Sequence, residues 1–196
     1  MPWFPMFVDL KGRPCLIVGG GAVAARKAEK LRPYGPALTV IAPEFAPGFE
    51  GCALLRRPYR PGDEDGMALV IAATGDPCLN HAVSAACRAQ NIPVNVVDDK
   101  EQCSFLFPCL VQEGELSVGI STGGASPTAA VWMKNQIAGL IPDGFDAILA
   151  WLEELRPRIK AEIPDEQTRS ARFAALFSAC LGRGRPLTNE ELEELL

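Results

Sequence analysis

Three short runs of this chain hold residue types whose spacing could do chemistry. The first is Cys15-Leu-Ile-Val-Gly19-Gly-Gly21-Ala22-Val23-Ala24, an apolar stretch that enters a Gly19-x-Gly21-x-x-Ala24 turn. A turn without side chains lets a pyrophosphate reach the unpaired amides at a helix N-terminus, where the helix dipole is positive. Gly19, Gly21, Ala22 and Val23 are therefore expected to contact a dinucleotide, although such a turn can also serve only to pack a strand closely against a helix. The second run is Asn95-Val-Val-Asp98-Asp99. Two adjacent carboxylates repel if both ionise in a dry site, which raises the pKa of one and suits it to proton transfer. Side chains alternate along an extended segment, so one of the pair should face the site; ordinary acids on a solvated loop remain the competing reading. The third run, Ser121-Thr122-Gly123-Gly124-Ala-Ser126-Pro127, is a second glycine-rich junction. Its amides could hold a substrate carboxylate or phosphate, or it could be a well-capped turn.

The elements around these runs point to an α/β fold. Strands are expected at 15–18, 38–42, 53–57, 68–73 and 94–97, and helices at 22–31 and 79–90, an alternation that specifies a Rossmann-type parallel sheet covered by helices. Cys-Leu-Ile-Val and Ala-Leu-Val-Ile-Ala-Ala are apolar on both faces, as central strands are. Ligands of such sheets bind beyond the carboxyl ends of the strands. That rule adds Pro43, Glu44 and Thr74 to the expected cofactor contacts, with Asn95 and the 121–127 junction on the substrate side. Glu44 follows Ala24 by about the twenty residues at which a carboxylate accepts ribose hydroxyls, favouring NAD over NADP.

Beyond residue 100 the pattern changes. Phe105-Leu-Phe-Pro108 and 116–120 read as strands, the latter after a turn at Glu113-Gly-Glu115. Ser126-Pro127 reads as a helix start, with serine as N-cap and proline at the first position. Ala130, Met133, Ile137, Leu140 and Ile141 fall on one stripe of that helix, which needs a cover, and a second copy of the chain is expected to supply it. The remainder reads as helical, with Phe145, Ile148, Leu149, Leu152, Leu155, Ile159 and Ile163 on one face and Phe173, Leu176, Phe177 and Cys180 on another. Pro157 is expected to kink or interrupt the first of these helices, and 188–191 forms a capping box. The expected organisation is thus a dinucleotide-binding domain over 1–112, a small α+β dimerisation segment over 113–143 and a helical C-terminal region over 144–196.

Bulk properties narrow the class. The 196 residues carry a net charge of −5, which argues against general affinity for nucleic acid. No apolar run approaches the roughly 18 residues of a membrane span, and the first residues do not resemble a secretory leader; a cytoplasmic location is expected. The seven cysteines are scattered, without a C-x-x-C pair, and suggest reduced thiols. With His81 the sole histidine, no preformed metal site is expected.

Taken in order, these motifs resemble the precorrin-2 dehydrogenase, or siroheme synthase N-terminal, family. The matching stretches are Phe4-Pro-Met-Phe-Val-Asp-Leu-Lys-Gly12, Val18 to Lys27, Val40-Ile-Ala-Pro43, Ile71-Ala-Ala-Thr74 with Asn80, Val94 to Asp99, Phe105 to Pro108 and Ile120 to Pro127. The resemblance implies NAD-dependent oxidation of precorrin-2 to sirohydrochlorin, and in some members iron or cobalt insertion, a lyase activity. It implies Asp98 as the base, Gly21, Ala22 and Val23 at the pyrophosphate, Pro43 and Glu44 on the adenosine side, and a homodimer that exchanges its middle segment. A substrate with eight carboxylates on an acidic protein needs a local basic surface, for which Arg26, Lys27, Arg56, Arg57 and Lys134 are candidates. An NAD-binding regulatory module without turnover is the alternative from another class.

Overall fold

The computed structural model describes residues 3–195. They form two compact units that divide between Phe107 and Pro108. The first unit holds a parallel sheet of β1 (Pro14–Val18), β2 (Ala37–Ala42), β3 (Ala53–Arg56), β4 (Leu69–Ala72) and β5 (Val94–Val96), in the order β3-β2-β1-β4-β5. Helix α1 (Ala22–Leu31) follows β1, and α2 (Pro77–Ala89) follows β4. The expected Rossmann-type class is the one observed, and the two strands read as central, β1 and β4, pair directly from Cys15 opposite Leu69 to Val18 opposite Ala72.

Each sheet face has its own core. Alternation sends Cys15, Ile17, Val40 and Ile71 toward Ala24, Ala28 and Leu31 of α1. Leu16, Val18, Val70, Val94 and Val96 pack on the other face with Val83 and Cys87 of α2. The start of α2 lies two residues before the position expected from its apolar pattern. Asp76 caps it, accepting from the amides of Cys78 (2.9 Å) and Leu79 (3.3 Å), and Pro77 occupies the first turn, where no N–H is needed.

The strand expected at Phe105–Pro108 does not form. Phe105 and Phe107 pack on the α1 side and Leu106 on the α2 side, so the side chains alternate as a strand's would. Contact with β5 instead runs through caps. Ser104 Oγ accepts from Val94 N (2.8 Å), Ser104 N donates to Val94 O (2.8 Å), and Asn95 Nδ2 donates to Phe105 O (3.1 Å). The segment then reaches Pro108, which has no N–H to extend a ladder.

In the second unit, β6 (Cys109–Glu113) pairs antiparallel with β7 (Leu116–Ile120). Gly114 turns the hairpin with φ 53°. Strand β6 has no counterpart among the expected strands, and because it pairs with β7 the hairpin spans the expected 112/113 boundary. Helix α3 (Pro127–Ala138) follows β7, then α4 (Phe145–Glu162), α5 (Glu166–Arg183) and α6 (Asn189–Glu193). Ile148, Leu155 and Ile159 of α4 pack with Leu176 and Cys180 of α5, and with Leu187 and Leu192. Helix α4 passes through Pro157 unbroken. Both Pro157 and Glu153, whose carbonyl loses its partner, are exposed, so the acceptor that proline frees lies on the solvent side of the helix. Helix α3 ends before Leu140 and Ile141, so the expected stripe is shorter than read. Only Ala130 of α3 is buried, while Val131, Trp132, Met133 and, beyond the helix, Leu140 are exposed at 51%, 59%, 41% and 80%. Among the described residues, no helix is long and apolar enough to cross a membrane.

Candidate functional site

The backbone leaving β1 is constrained glycine by glycine. Gly19 has φ 125°, and a Cβ there would lie 2.6 Å from the carbonyl carbon of Ala73, just past β4. A Cβ on Gly20 would lie 2.8 Å from Ala42 Cβ at the end of β2 and would overlap the Glu44 carbonyl oxygen. Gly19 N donates to Ile41 O (2.9 Å) and Ala46 N to Gly20 O (2.7 Å), fixing the turn to the β2 exit. Gly21 differs, because a Cβ there meets nothing within 4 Å. It is the N-cap of α1, with no side-chain cap and no acidic residue in the first turn. The Gly19-x-Gly21-x-x-Ala24 pattern therefore divides by task. Gly19, and Gly20, which the pattern leaves unspecified, permit close backbone approach, and buried Ala24 seats the helix on the sheet. Gly21, with Ala22 exposed and Val23 half-buried behind it, faces open space with unpaired amides. This end fits a pyrophosphate.

The second glycine junction is arranged otherwise. Thr122 Oγ1 accepts from Ser126 N (3.2 Å), Ser121 Oγ from Gly123 N (3.1 Å), and Thr122 O from Ala125 N (3.1 Å). Ser126 Oγ accepts from Ala129 N (3.1 Å) and caps α3. Gly123 and Gly124 take positive φ of 63° and 85°. Most donors that could meet an anion are thus engaged within the loop, the geometry of a well-capped turn.

Beyond β2, Pro43 and Glu44 are exposed. Arg56 packs over the Phe45 ring (5.2 Å), with Nη1 3.5 Å from the Pro43 carbonyl. Beyond β4, Asn80 locks Thr74: Asn80 Oδ1 accepts from Thr74 Oγ1 (2.7 Å) and Thr74 N (3.2 Å), and Asn80 Nδ2 donates to Thr74 O (3.1 Å). Buried Asn80 has no chemistry to offer solvent; it presents the β4 exit in one conformation.

The two carboxylates beyond β5 are divided. Asp99 Oδ2 is 2.8 Å from His81 Nε2 and Asp99 Oδ1 accepts from Gln102 N (3.3 Å), and the His81 bond holds this carboxyl below its ordinary range. Asp98 is exposed, sits at φ 60° in the left-handed region, and has no side-chain partner among the described residues. Asp is one of the few residues that tolerates this conformation. Asn95, expected at the substrate, is instead buried, with its amide donating to Cys103 Sγ (3.4 Å) as well as Phe105 O. Its side chain holds the loop and does not face solvent.

Cys103 is the other half of that support and had no signal beyond its apolar setting. Its Sγ accepts from Val96 N (3.2 Å) and lies 3.3 Å from both Val96 O and Asp99 O. Burial pushes its thiol up, so it stays protonated and can donate to one of those carbonyls. The thiol thus bridges the residues on either side of the Asp98 turn. Among the described residues no group of three His, Cys, Asp or Glu side chains forms a metal site.

A doubly covered parallel sheet with an open, uncapped glycine turn after its central strand defines a dinucleotide-binding protein. The chain belongs to the family described as putative NAD(P)-binding, which matches residues 6–109, and residues 113–140 match the central segment of sirohaem biosynthesis proteins. Siroheme synthase of Thioalkalivibrio sulfidiphilus is 40% identical over 175 residues, 86% of this chain and 36% of that protein. Siroheme synthase of Pseudomonas paraeruginosa is 39% identical over 204 residues, 99% of this chain and 44% of that protein. The chain therefore spans about two fifths of the curated relatives it matches. The solved structure of SirC, a precorrin-2 dehydrogenase, superposes with a TM-score of 0.71 at 24% identity, covering 98% of this chain and 96% of that one, and shares the fold. The family resemblance carried by the motifs holds, and the cofactor it supports is a nicotinamide dinucleotide.

Two substitutions separate support from contact. Gly20→Ala should cost about 2–3 kcal/mol of stability through overpacking, whereas Gly21→Ala should leave stability within about 0.5 kcal/mol and weaken dinucleotide binding about tenfold, one charged hydrogen bond's worth. Urea unfolding and NAD titration of both variants check this. Cys103→Ala should lose about 1–3 kcal/mol by orphaning the Val96 amide, and Cys103→Ser should recover part of it, read from thermal unfolding.

Proposed function

We propose that the chain dehydrogenates precorrin-2 to sirohydrochlorin, with NAD as the hydride acceptor and Asp98 as the base. The observation that carries this reading is Asp98 itself, an exposed carboxylate without a side-chain partner among the described residues, held in left-handed backbone at a strand exit of a dinucleotide-binding sheet. An exposed carboxylate at that exit is placed to accept a proton from a bound substrate. The siroheme synthase relatives and the SirC fold supply the substrate class by resemblance.

Dehydrogenation removes a hydride and a proton from adjoining positions of the substrate. The nicotinamide ring, when bound, supplies the hydride acceptor. Gly21, Ala22 and Val23 receive the pyrophosphate at the α1 N-terminus, with Gly19 and Thr74 shaping the walls on either side. Asp98 takes the proton, while the His81 and Gln102 bonds to Asp99 keep the neighbouring carboxylate out of competition. Glu44, with Pro43 before it, is proposed to accept the ribose hydroxyls and disfavour a 2′-phosphate. Thr122, Gly123, Gly124 and Ser126 are carried as substrate contacts on their motif alone. The exposed Val131, Trp132, Met133 and Leu140 support a homodimer formed through the second unit.

Anaerobic incubation with precorrin-2 and NAD, following NADH and the sirohydrochlorin spectrum, tests the activity. NAD binding without turnover would favour a regulatory module instead. Asp98→Asn, which keeps shape and left-handed tolerance, should lower kcat by at least about 100-fold, within the range of a general base, with NAD affinity unchanged. Wild-type turnover in that variant would remove its assigned role. Glu44→Gln should narrow the NAD over NADP preference by about tenfold, the size of a hydrogen bond to a charged group, measured as the ratio of kcat/KM values.

A further inference from the structure

Of the basic residues near the dinucleotide-binding sheet, one is set apart by its surroundings. Arg57 is held by Asp63 through two 2.7 Å bonds, and Arg56 lies over Phe45 toward the β2 exit. Arg26 and Lys30 are exposed on α1. Lys27 is half-buried, with its Nζ 4.2 Å above the centre of the Phe107 ring, and it makes no ion pair or hydrogen bond among the described residues. Loss of water pushes its ammonium below the ordinary lysine range, Lys30 and Arg26 push the same way, and Asp98 lies close enough to oppose that push.

The position of Lys27 on α1 explains this. Ala25 faces Gly48 of the β2–β3 connection, 3.2 Å from where a Cβ on that glycine would lie. Two residues on is about 200° around a helix, which brings Lys27 to the opposite flank, over the segment beyond β5. Helical side chains lean toward the N-terminus, and the four-carbon stem carries Nζ over the Phe107 ring. A dinucleotide spread over the strand exits would place its adenosine on the β2 side, leaving the β5 side for the reacting end. A cation that has lost water beside an aromatic face keeps part of its stabilisation from the ring, but no fixed anion among the described residues pairs with it.

We infer that Lys27 is a substrate anchor: its ammonium, backed by Phe107, binds a carboxylate of the molecule that reacts beside Asp98. This rests on the dehydrogenase reading for the identity of that molecule and adds to it the group that ranks first among the candidate cations.

The test uses the full chain with NAD and compares wild type, Lys27→Gln, Lys27→Arg and, as a charge-matched control, Lys30→Gln. Sirohydrochlorin binding is titrated by absorbance, and precorrin-2 turnover is measured separately. The expected result is a rise of about tenfold or more in the sirohydrochlorin Kd and the precorrin-2 KM for Lys27→Gln, the loss of one charge-assisted contact. Lys27→Arg should recover part of the loss, Lys30→Gln should match wild type, and NAD affinity should not change. The salt dependence of the KM should also flatten in Lys27→Gln. Unchanged tetrapyrrole affinity in Lys27→Gln, or a wild type that binds no tetrapyrrole, overturns the anchor. Wild-type binding that depends on Lys27 without turnover keeps the anchor and overturns the dehydrogenase reading alone.

Discussion

The backbone that leaves β1 passes between the exits of its two neighbours with no room for a side-chain carbon on either flank. On one flank the Ala73 carbonyl blocks Gly19, and on the other Ala42 and Glu44 block Gly20. Because both walls are backbone or near-backbone, no rotamer change can relieve a substitution there. This clearance fixes where α1 begins, and so where its first amides point. It also ties the exits of β2, β1 and β4 into one rigid rim. The openness at Gly21 is the counterpart of that tightness: the chain is squeezed for two residues and then released into space at the helix N-terminus.

The far end of the rim depends on a different kind of order. Strand β5 is only Val94–Val96, too short for ladder bonds alone to define the loop beyond it. Side chains complete it, with Ser104 and Asn95 binding the passing backbone and the Cys103 thiol bridging Val96 and Asp99. Buried polar groups carry a cost unless they are hydrogen-bonded, and here the Asn95 amide and the Cys103 thiol bond to backbone and to each other. The result is an acid in an uncommon backbone conformation beside a carboxylate, Asp99, that is itself engaged by His81 and Gln102. The two glycine junctions show the same contrast, since the junction after β1 leaves the first amides of its helix without a side-chain cap while the one after β7 engages most of its donors internally.

Much of this was legible in the residues, and the parts that were not have identifiable causes. The β1-turn-α1 unit is read from local pattern because each of its residues is specified locally, and α1 begins at Ala22 as expected. The Ser126-Pro127 cap and the box at Thr188 are read the same way. The Asp76-Pro77 start of α2 carries an equally local signal, which the apolar periodicity of Leu79 onward concealed. Phe105–Pro108 alternates like a strand because it does cover both faces of the sheet, but it meets β5 only at Val94 and through side chains, without a continuing ladder. Strand β6, mixed in composition and behind a proline, becomes a strand only through pairing with β7. The roles of Asn80, Asn95, Cys103 and Lys27 are tertiary facts. Nothing in their neighbours along the chain says that an asparagine will hold a threonine six residues back, or that a lysine will rest on a distant phenylalanine.

The strand order β3-β2-β1-β4-β5 also sets a sequence of events in time. Strand β1 is the first of the sheet to be synthesised, yet it lies in the centre, and parallel neighbours can reach it only through long crossovers. One of its edges has no hydrogen-bonding partner until Leu69–Ala72 has emerged. Until then, the wall that Ala73 provides against Gly19 is missing as well. The second unit is built from near neighbours in the chain, the β6–β7 hairpin and the α4–α5 pair, whose contacts close over short loops. The half that carries the cofactor turn is thus translated first but depends on the more distant pairings, and its cradle becomes complete only when β4 arrives.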